Sequence, residues 1–204
     1  MNEACLTDRE HDLLLELFNI GIGTAAASLG MLSKQEVGVE IPEIEIVSFS
    51  DFISSMKNDE LCCVIQKSHG DIDSISMLVF PQEGTFEIVR RMLGKHIDNI
   101  PSAELYQDAI REIGNIMLNA CMGSIANVLS VTLENELPVL QFGTPEEMLH
   151  STILGIDEML LDVTIRMRLM ESDVSGSVVF IMGPFSLKKL KQSLKPLLDK
   201  ITNQ

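Results

Sequence analysis

Asp12, Glu16 and Asn19 stand at i, i+4 and i+7, and Asp108, Glu112 and Asn115 repeat the same residue types at the same offsets 96 positions later. At 3.6 residues per turn each set falls on one stripe of a helix. A proline follows each Asn after 22 intervening residues, as Pro42 and Pro138. With residue types averaging roughly 5% of a chain, chance supplies a second copy of this pattern in about one sequence in a thousand. Internal duplication is the better explanation. Duplicated polar residues can still be no more than the solvated faces of two amphipathic helices. Residue type argues for more: such a face accepts Lys, Glu, Gln or Ser interchangeably, whereas Asn is a mediocre helix former and yet stands mid-helix twice. A carboxamide on a rigid helix can accept from a water and donate from its NH₂, and so orient a nucleophile without carrying charge or forming a covalent bond. A glutamate one turn earlier is placed to hold a basic residue of a bound macromolecule.

These residues need long helices to carry them. Thr7 with Glu10 three residues on is a capping-box pattern, and it predicts a helix from about Asp8 to Leu32, with Leu13, Leu17 and Ile20 as its core stripe. Gly21, Gly23 and the small run "TAAAS" remove bulk and allow another element to approach closely. "VGVEIPEIEIV" alternates, with Val37, Val39 and Ile41 on one face, and predicts a strand interrupted at Pro42. Strands "LCCVIQK" and "SISMLVFP" and a helix "TFEIVRRMLG" ending at Gly94 follow. The polar "KHIDNIPS" reads as a linker before a second long helix, about Ser102 to Ser130. Then come strand-like "LPVLQFG", amphipathic "TPEEMLH", strands "MLLDVTIRMRLME" and "GSVVFIMG", and a basic amphipathic helix whose apolar stripe packs on the sheet.

"DIDSISMLVF" (71–80) overlays "DVSGSVVFIM" (173–182), as "DLLLELFNI" overlays "DAIREIGNI". The expected architecture is α+β: a single domain over 1–204, made of two pseudo-symmetric helix-strand-strand-strand-helix repeats (about 8–100 and 101–200). The repeats share one mainly antiparallel sheet flanked by long helices.

The chain has 204 residues, is 46% hydrophobic, and carries a net charge of −15 with a pI near 4.5. Such charge repels nucleic-acid phosphates and anionic headgroups, so neither nucleic acid nor membrane is the expected partner. A basic face on another protein is the natural complement. The N-terminal residues show no basic stretch followed by an apolar run, and no segment reaches the ~18–20 apolar residues of a membrane span; the expected location is the cytoplasm. Cys5, Cys62, Cys63 and Cys121 form no CxxC pair or Cys/His cluster, so no zinc site is expected. Cys62 and Cys63 read as reduced thiols packed on opposite faces of a strand. His11, His69, His96 and His150 are scattered, with no catalytic pairing between them.

The doubled pattern D-x3-E-x2-N-x22-P, together with "NIGIGTAAASLG" (19–30), resembles the CheC/CheX/FliY family of bacterial chemotaxis phosphatases over nearly the whole chain. Two motifs in about 200 residues are most similar to the CheC type. CheX-type members carry one motif, and FliY-type members carry a flagellar-switch domain for which this chain has no room. The resemblance implies hydrolysis of the aspartyl phosphate on a CheY-like response regulator. Asn19 and Asn115 would position the attacking water, and Glu16 and Glu112 would pair with a lysine of the regulator's active site. Asp12 and Asp108 would support them. No cofactor is expected on this chain, and Mg²⁺ would sit on the regulator. The resemblance also implies a CheD-type receptor deamidase as a partner, so that an adaptor binding CheD or a phosphorylated regulator with little hydrolysis is the alternative. Many family members read "NIGAGNAA" where this chain has Ile22 and Thr24, and the second copy has Met117 and Leu118 in place of the glycine-bearing segment, with Gly114 before its Asn. Sites of unequal activity are expected.

Overall fold

A computed structural model describes residues 6–56, 60–93, 102–152, 159–169 and 172–202. Its elements are α1 (Asp8–Ser33), β1 (Val37–Ser48), α2 (Phe49–Ser55), β2 (Leu61–Gly70), β3 (Ser74–Pro81), α3 (Gln82–Met92), α4 (Ala103–Leu129), β4 (Leu133–Asn135), β5 (Val139–Gly143), α5 (Pro145–Thr152), β6 (Met159–Leu169), β7 (Ser172–Met182) and α6 (Pro184–Thr202). The expected linker and stop at Gly94 fall in 94–101, outside the described residues.

Local chemistry accounts for the long helices. Thr7 accepts from the Glu10 amide while the Glu10 carboxylate accepts from the Thr7 amide at 2.8 Å, the capping box the sequence predicts. Ser102 caps α4 through the Leu105 amide, and Lys34 and Ser130 close the two helices in left-handed conformation. Three features go beyond expectation. The interruption expected at Pro42 is a bulge inside one continuous β1: a register shift between Glu40 and Glu43 absorbs an extra residue, so the core-facing set passes from Val37, Val39 and Ile41 to Ile44 and Ile46. Helix α2 is an addition, started by the Ser48 hydroxyl accepting from the Asp51 amide. The predicted strand at 137–143 is β5, which starts at Val139, and β4 (Leu133–Asn135) is an addition before it.

The seven strands form one antiparallel sheet in the order β1-β6-β7-β3-β2-β4, with β5 also on β2. Pairings β1–β6 and β2–β4/β5 mean that the first strand or strands after each long helix add to the hairpin formed by the other half of the chain. One face of the sheet packs on α1, α4, α3 and α6, with Val163, Ile165, Val178 and Phe180 among its buried residues. On the other face, Phe52 of α2 and Met148 of α5 cover a smaller cluster around Cys63, Met77 and Val179. Cys62 and Cys63 therefore do enter opposite layers, both as free thiols, and burial pushes the Cys62 thiol up to about 12. Leu190 and Leu194 of α6 pack into the larger core.

The buried stripe of α1 is Leu14, Leu17, Phe18, Gly21, Ile22, Ala25 and Leu29. Ile20, expected in the core, is 49% exposed. At 100° per residue the buried set is centred near Ala25, with Gly21 about 40° to one side, and Ile20 lies about 140° from that centre. A Cβ on Gly21 would stand 2.8 Å from the Ala120 carbonyl oxygen and 2.9 Å from the Cys121 Cα. Gly23, expected to share that contact, has nothing within 4 Å of its Cβ position. By length and composition α1 is also long and apolar enough to cross a membrane, contrary to expectation. A core helix of a globular fold passes the same test, and here the apolar side is packed against α4 and the sheet.

Asp162 faces Glu45 across the β1–β6 pair, on the side of the sheet away from α1. Burial pushes its carboxyl up to about 6, partly opposed by the Ser177 hydrogen bond and reinforced by Glu45 and Glu43.

Two predictions follow from this packing. Gly21→Ala lowers stability by about 1–3 kcal/mol because backbone atoms must shift, although Ala is the better helix former. Gly23→Ala raises stability by about 0.5–1 kcal/mol through reduced chain entropy, and chemical denaturation of the pair checks the opposite signs. Asp162 holds its proton more tightly when folded than at its ordinary 3.8, so its favourable contribution is complete below that value and is lost as pH rises through about 6. Asp162→Asn therefore raises the denaturation midpoint at pH 7 and changes it little at pH 4.

Candidate active site

The apolar stripe of α1 faces inward, so its opposite side must face solvent, and Asp12, Glu16 and Asn19 are all exposed there. They share one stripe, as the spacing requires, and Gly23 continues it one turn on. The Asp12 carboxylate lies 3.4 Å from the His11 ring. No hydrogen bond or ion pair joins the Glu16 or Asn19 side chain to another described residue. Ile20 and Thr24 flank the stripe, and the Thr24 hydroxyl donates back to the Ile20 carbonyl at 3.0 Å.

On α4, Asp108 and Glu112 are exposed, and Asn115 and Asn119 are half-buried. Asp108 accepts from Arg111 at 2.7 Å, a solvated pair whose carboxylate side chain is 72% exposed. The stripe sinks toward the sheet as the helix proceeds, and Gly114 is the local reason. A Cβ there would overlap Val64 of β2 at 2.4 Å, so only glycine lets α4 lie this close to the strand. The corresponding residue of α1 is Phe18, whose ring packs on Phe180 with centroids 5.1 Å apart.

The close approach brings Asn119 to the polar end of β2. Asn119 Nδ2 donates to Asn115 Oδ1 at 2.7 Å, and Asn135 Nδ2 of β4 donates to Asn119 Oδ1 at 2.7 Å. Gln66 Nε2 reaches the Glu136 carbonyl at 3.0 Å and Asn119 Oδ1 at 3.4 Å, while Ser68 Oγ donates to Asn135 Oδ1 at 2.7 Å. The Glu136 carboxylate lies 3.0 Å from the His69 ring. Of these residues the motif spacing finds only Asn115. The signal for Gln66 is a polar residue closing an otherwise apolar strand, and for Asn119 a second Asn on the same stripe; Asn135 gives none.

The two stripes ride on helices that pack against each other with opposed chain directions: Ser124 Oγ donates to the Leu17 carbonyl at 2.7 Å, and Gly21 meets Ala120 and Cys121. The structure therefore displays two separate Asp/Glu/Asn stripes, each outward on a fixed helix. Among the described residues no group of three His, Cys, Asp or Glu side chains is arranged to hold a metal ion.

No family model matches the chain. It is 18% identical over 195 residues to the CheY-P phosphatase CheC of Bacillus subtilis, covering 91% of this chain and 93% of that protein. It is 25% identical over 188 residues to the flagellar motor switch phosphatase FliY of the same organism, covering 90% of this chain and spanning about half, 48%, of FliY. Among solved structures, Thermotoga maritima FliY superposes with a TM-score of 0.78 at 18% identity, over 94% of this chain and 98% of that one. A chain of the Borrelia burgdorferi CheX–CheY–BeF3–Mg²⁺ complex does so at 0.54 and 13% identity, over 83% and 99%. A chain of the Helicobacter pylori FliG–FliM complex reaches 0.67 at 10% identity, over 91% and 98%. The protein is thus a homologue of CheC and FliY, with the CheC/CheX/FliY-type fold.

Proposed function

We propose that this chain hydrolyses the aspartyl phosphate of a CheY-like response regulator, using Asn19 and Asn115 to orient water and Glu16 and Glu112 to engage a lysine of the regulator. The observation that carries the reading is the Asp/Glu/Asn stripe carried on two long helices, fully exposed on α1 and with a half-buried Asn115 on α4, in a homologue of CheC. Transfer of a phosphoryl group to water passes through a loose transition state, so the catalyst needs to position the nucleophile more than to react with it. An uncharged carboxamide on a rigid helix meets that requirement. Mg²⁺ belongs to the regulator in this reading and supplies charge stabilisation at the phosphoryl oxygens there. Asp12 and Asp108 lie one turn before each glutamate, at the rim, where they add negative potential toward a basic partner surface.

A second reading, a binding module that holds a phosphorylated regulator or a CheD-type deamidase without turnover, is favoured by the likeness to FliM. Regulator-phosphate decay measured at substoichiometric amounts of this protein separates the two, because only a catalyst accelerates decay beyond its own concentration.

Replacing Asn19 and Asn115 together by Ala is expected to slow hydrolysis by about 10²-fold or more while leaving affinity for the phosphorylated regulator nearly intact, since the interaction acts mainly in the transition state. A double variant as fast as the parent reduces the constellation to a solvated helix face. Glu16→Gln with Glu112→Gln should instead weaken binding as well as rate. For the parent, kcat/KM is expected to fall as salt is raised, screening beyond about 8–10 Å at physiological ionic strength. A flat salt profile removes the glutamate–lysine contact from the mechanism.

A further inference from the structure

The orientation of the Asn115 carboxamide is traceable to a group with a single hydrogen-bonding role. The backbone carbonyl of Glu136 can only accept, so Gln66, 2% exposed, must present Nε2 to it. The same nitrogen and Asn135 Nδ2 both face Oδ1 of Asn119, and Ser68 holds Asn135 by its own oxygen. Asn119 must then turn Nδ2 outward, to Oδ1 of Asn115. Asn115 is left with its NH₂ and the second lone pair of Oδ1 for whatever binds above the helix. Gln66 Oε1 is buried with no hydrogen-bond partner among the described residues.

The first half has none of this. Gly23 stands where Asn119 does. Overlaying 71–80 on 173–182 places Ser76 on Val178; their strand partners are Gln66 and Val163, so a fully buried Val163 occupies the counterpart of Gln66. Among the described residues none holds the exposed Asn19 side chain by a hydrogen bond.

We infer that Asn119 and Asn135 are positioning residues of the second site, holding the Asn115 carboxamide in one of its two flips and making this the faster site. The inference rests on the hydrolase reading above.

The test is made in the Asn19→Ala background, where only the second site operates. Asn119→Asp keeps the side chain's shape but has no donor at neutral pH. Gln66, Asn135 and a reversed Asn115 can all donate to it, so the variant should melt no lower than its parent while presenting the wrong face of Asn115. Its kcat should fall by about 10²-fold, with any effect of the added charge on docking confined to KM. Asn119→Ala, which leaves Asn115 free to sample both flips, should melt lower yet lose only about tenfold in kcat. Thus stability and turnover are expected to rank the two variants in opposite orders. A packing role predicts the reverse, with Ala the slower enzyme and the loss following Tm. The inference is overturned if Asn119→Asp keeps the background kcat or if Ala is slower than Asp. Asn115→Ala in the same background separates the two levels: if it is slow and Asn119→Asp is fast, only the positioning role falls, and if it is as fast as the background, the hydrolase reading falls with it.

Discussion

The backbone contact between α1 and α4 is the constraint on which the arrangement depends. Gly21 leaves its helix surface bare against Ala120 and Cys121, and Ser124 ties the Leu17 carbonyl to the facing helix. Helices meeting this closely have little freedom to rotate about their axes, because any rotation drives side chains into backbone. Fixing the buried stripes fixes the opposite stripes too. Both sets of Asp, Glu and Asn are therefore held outward by a contact on the far side of each helix.

The sheet beneath couples the halves. Because β1 completes the hairpin β6–β7 while β4 and β5 complete β2–β3, neither half has its full set of strand partners without the other. The central β3–β7 pair joins the two hairpins directly. The positions of the two long helices are accordingly referred to a single common sheet.

Within this frame the two stripes have different surroundings, and one substitution pair explains most of the difference. Phe18 fills the space under α1 by packing on Phe180, whereas Gly114 leaves none under α4, and Val64 occupies it. The closer helix can share hydrogen bonds with β2 and β4, which replaces a solvated stripe with one anchored through Asn119, Asn135 and Gln66. This polar chain runs from buried Gln66 to exposed Asn135 and has a defined polarity because a backbone carbonyl terminates it.

What depends on neighbours along the chain is legible in the residues alone. The capping box at Thr7, the alternation in β6, the duplicated offsets and the outward course of Asp12, Glu16 and Asn19 all follow from periodicity and local hydrogen bonding. Where two such signals compete, the sequence does not choose: Pro42 reads as a break, yet an edge strand can absorb it in a bulge, and the choice rests on pairing with β6. Ile20 has the spacing of the core stripe of α1 but lies off it, because the packing against α4 and the sheet sets which side is buried, and Gly21 and Gly23 differ only in whether another backbone lies against them. Tertiary structure alone decided that Gln66 and Asn135, 53 and 16 positions from Asn119, converge on it. Hydrogen bonds across such separations leave no period in the sequence, since they are made by strand order and by how closely a helix lies on the sheet.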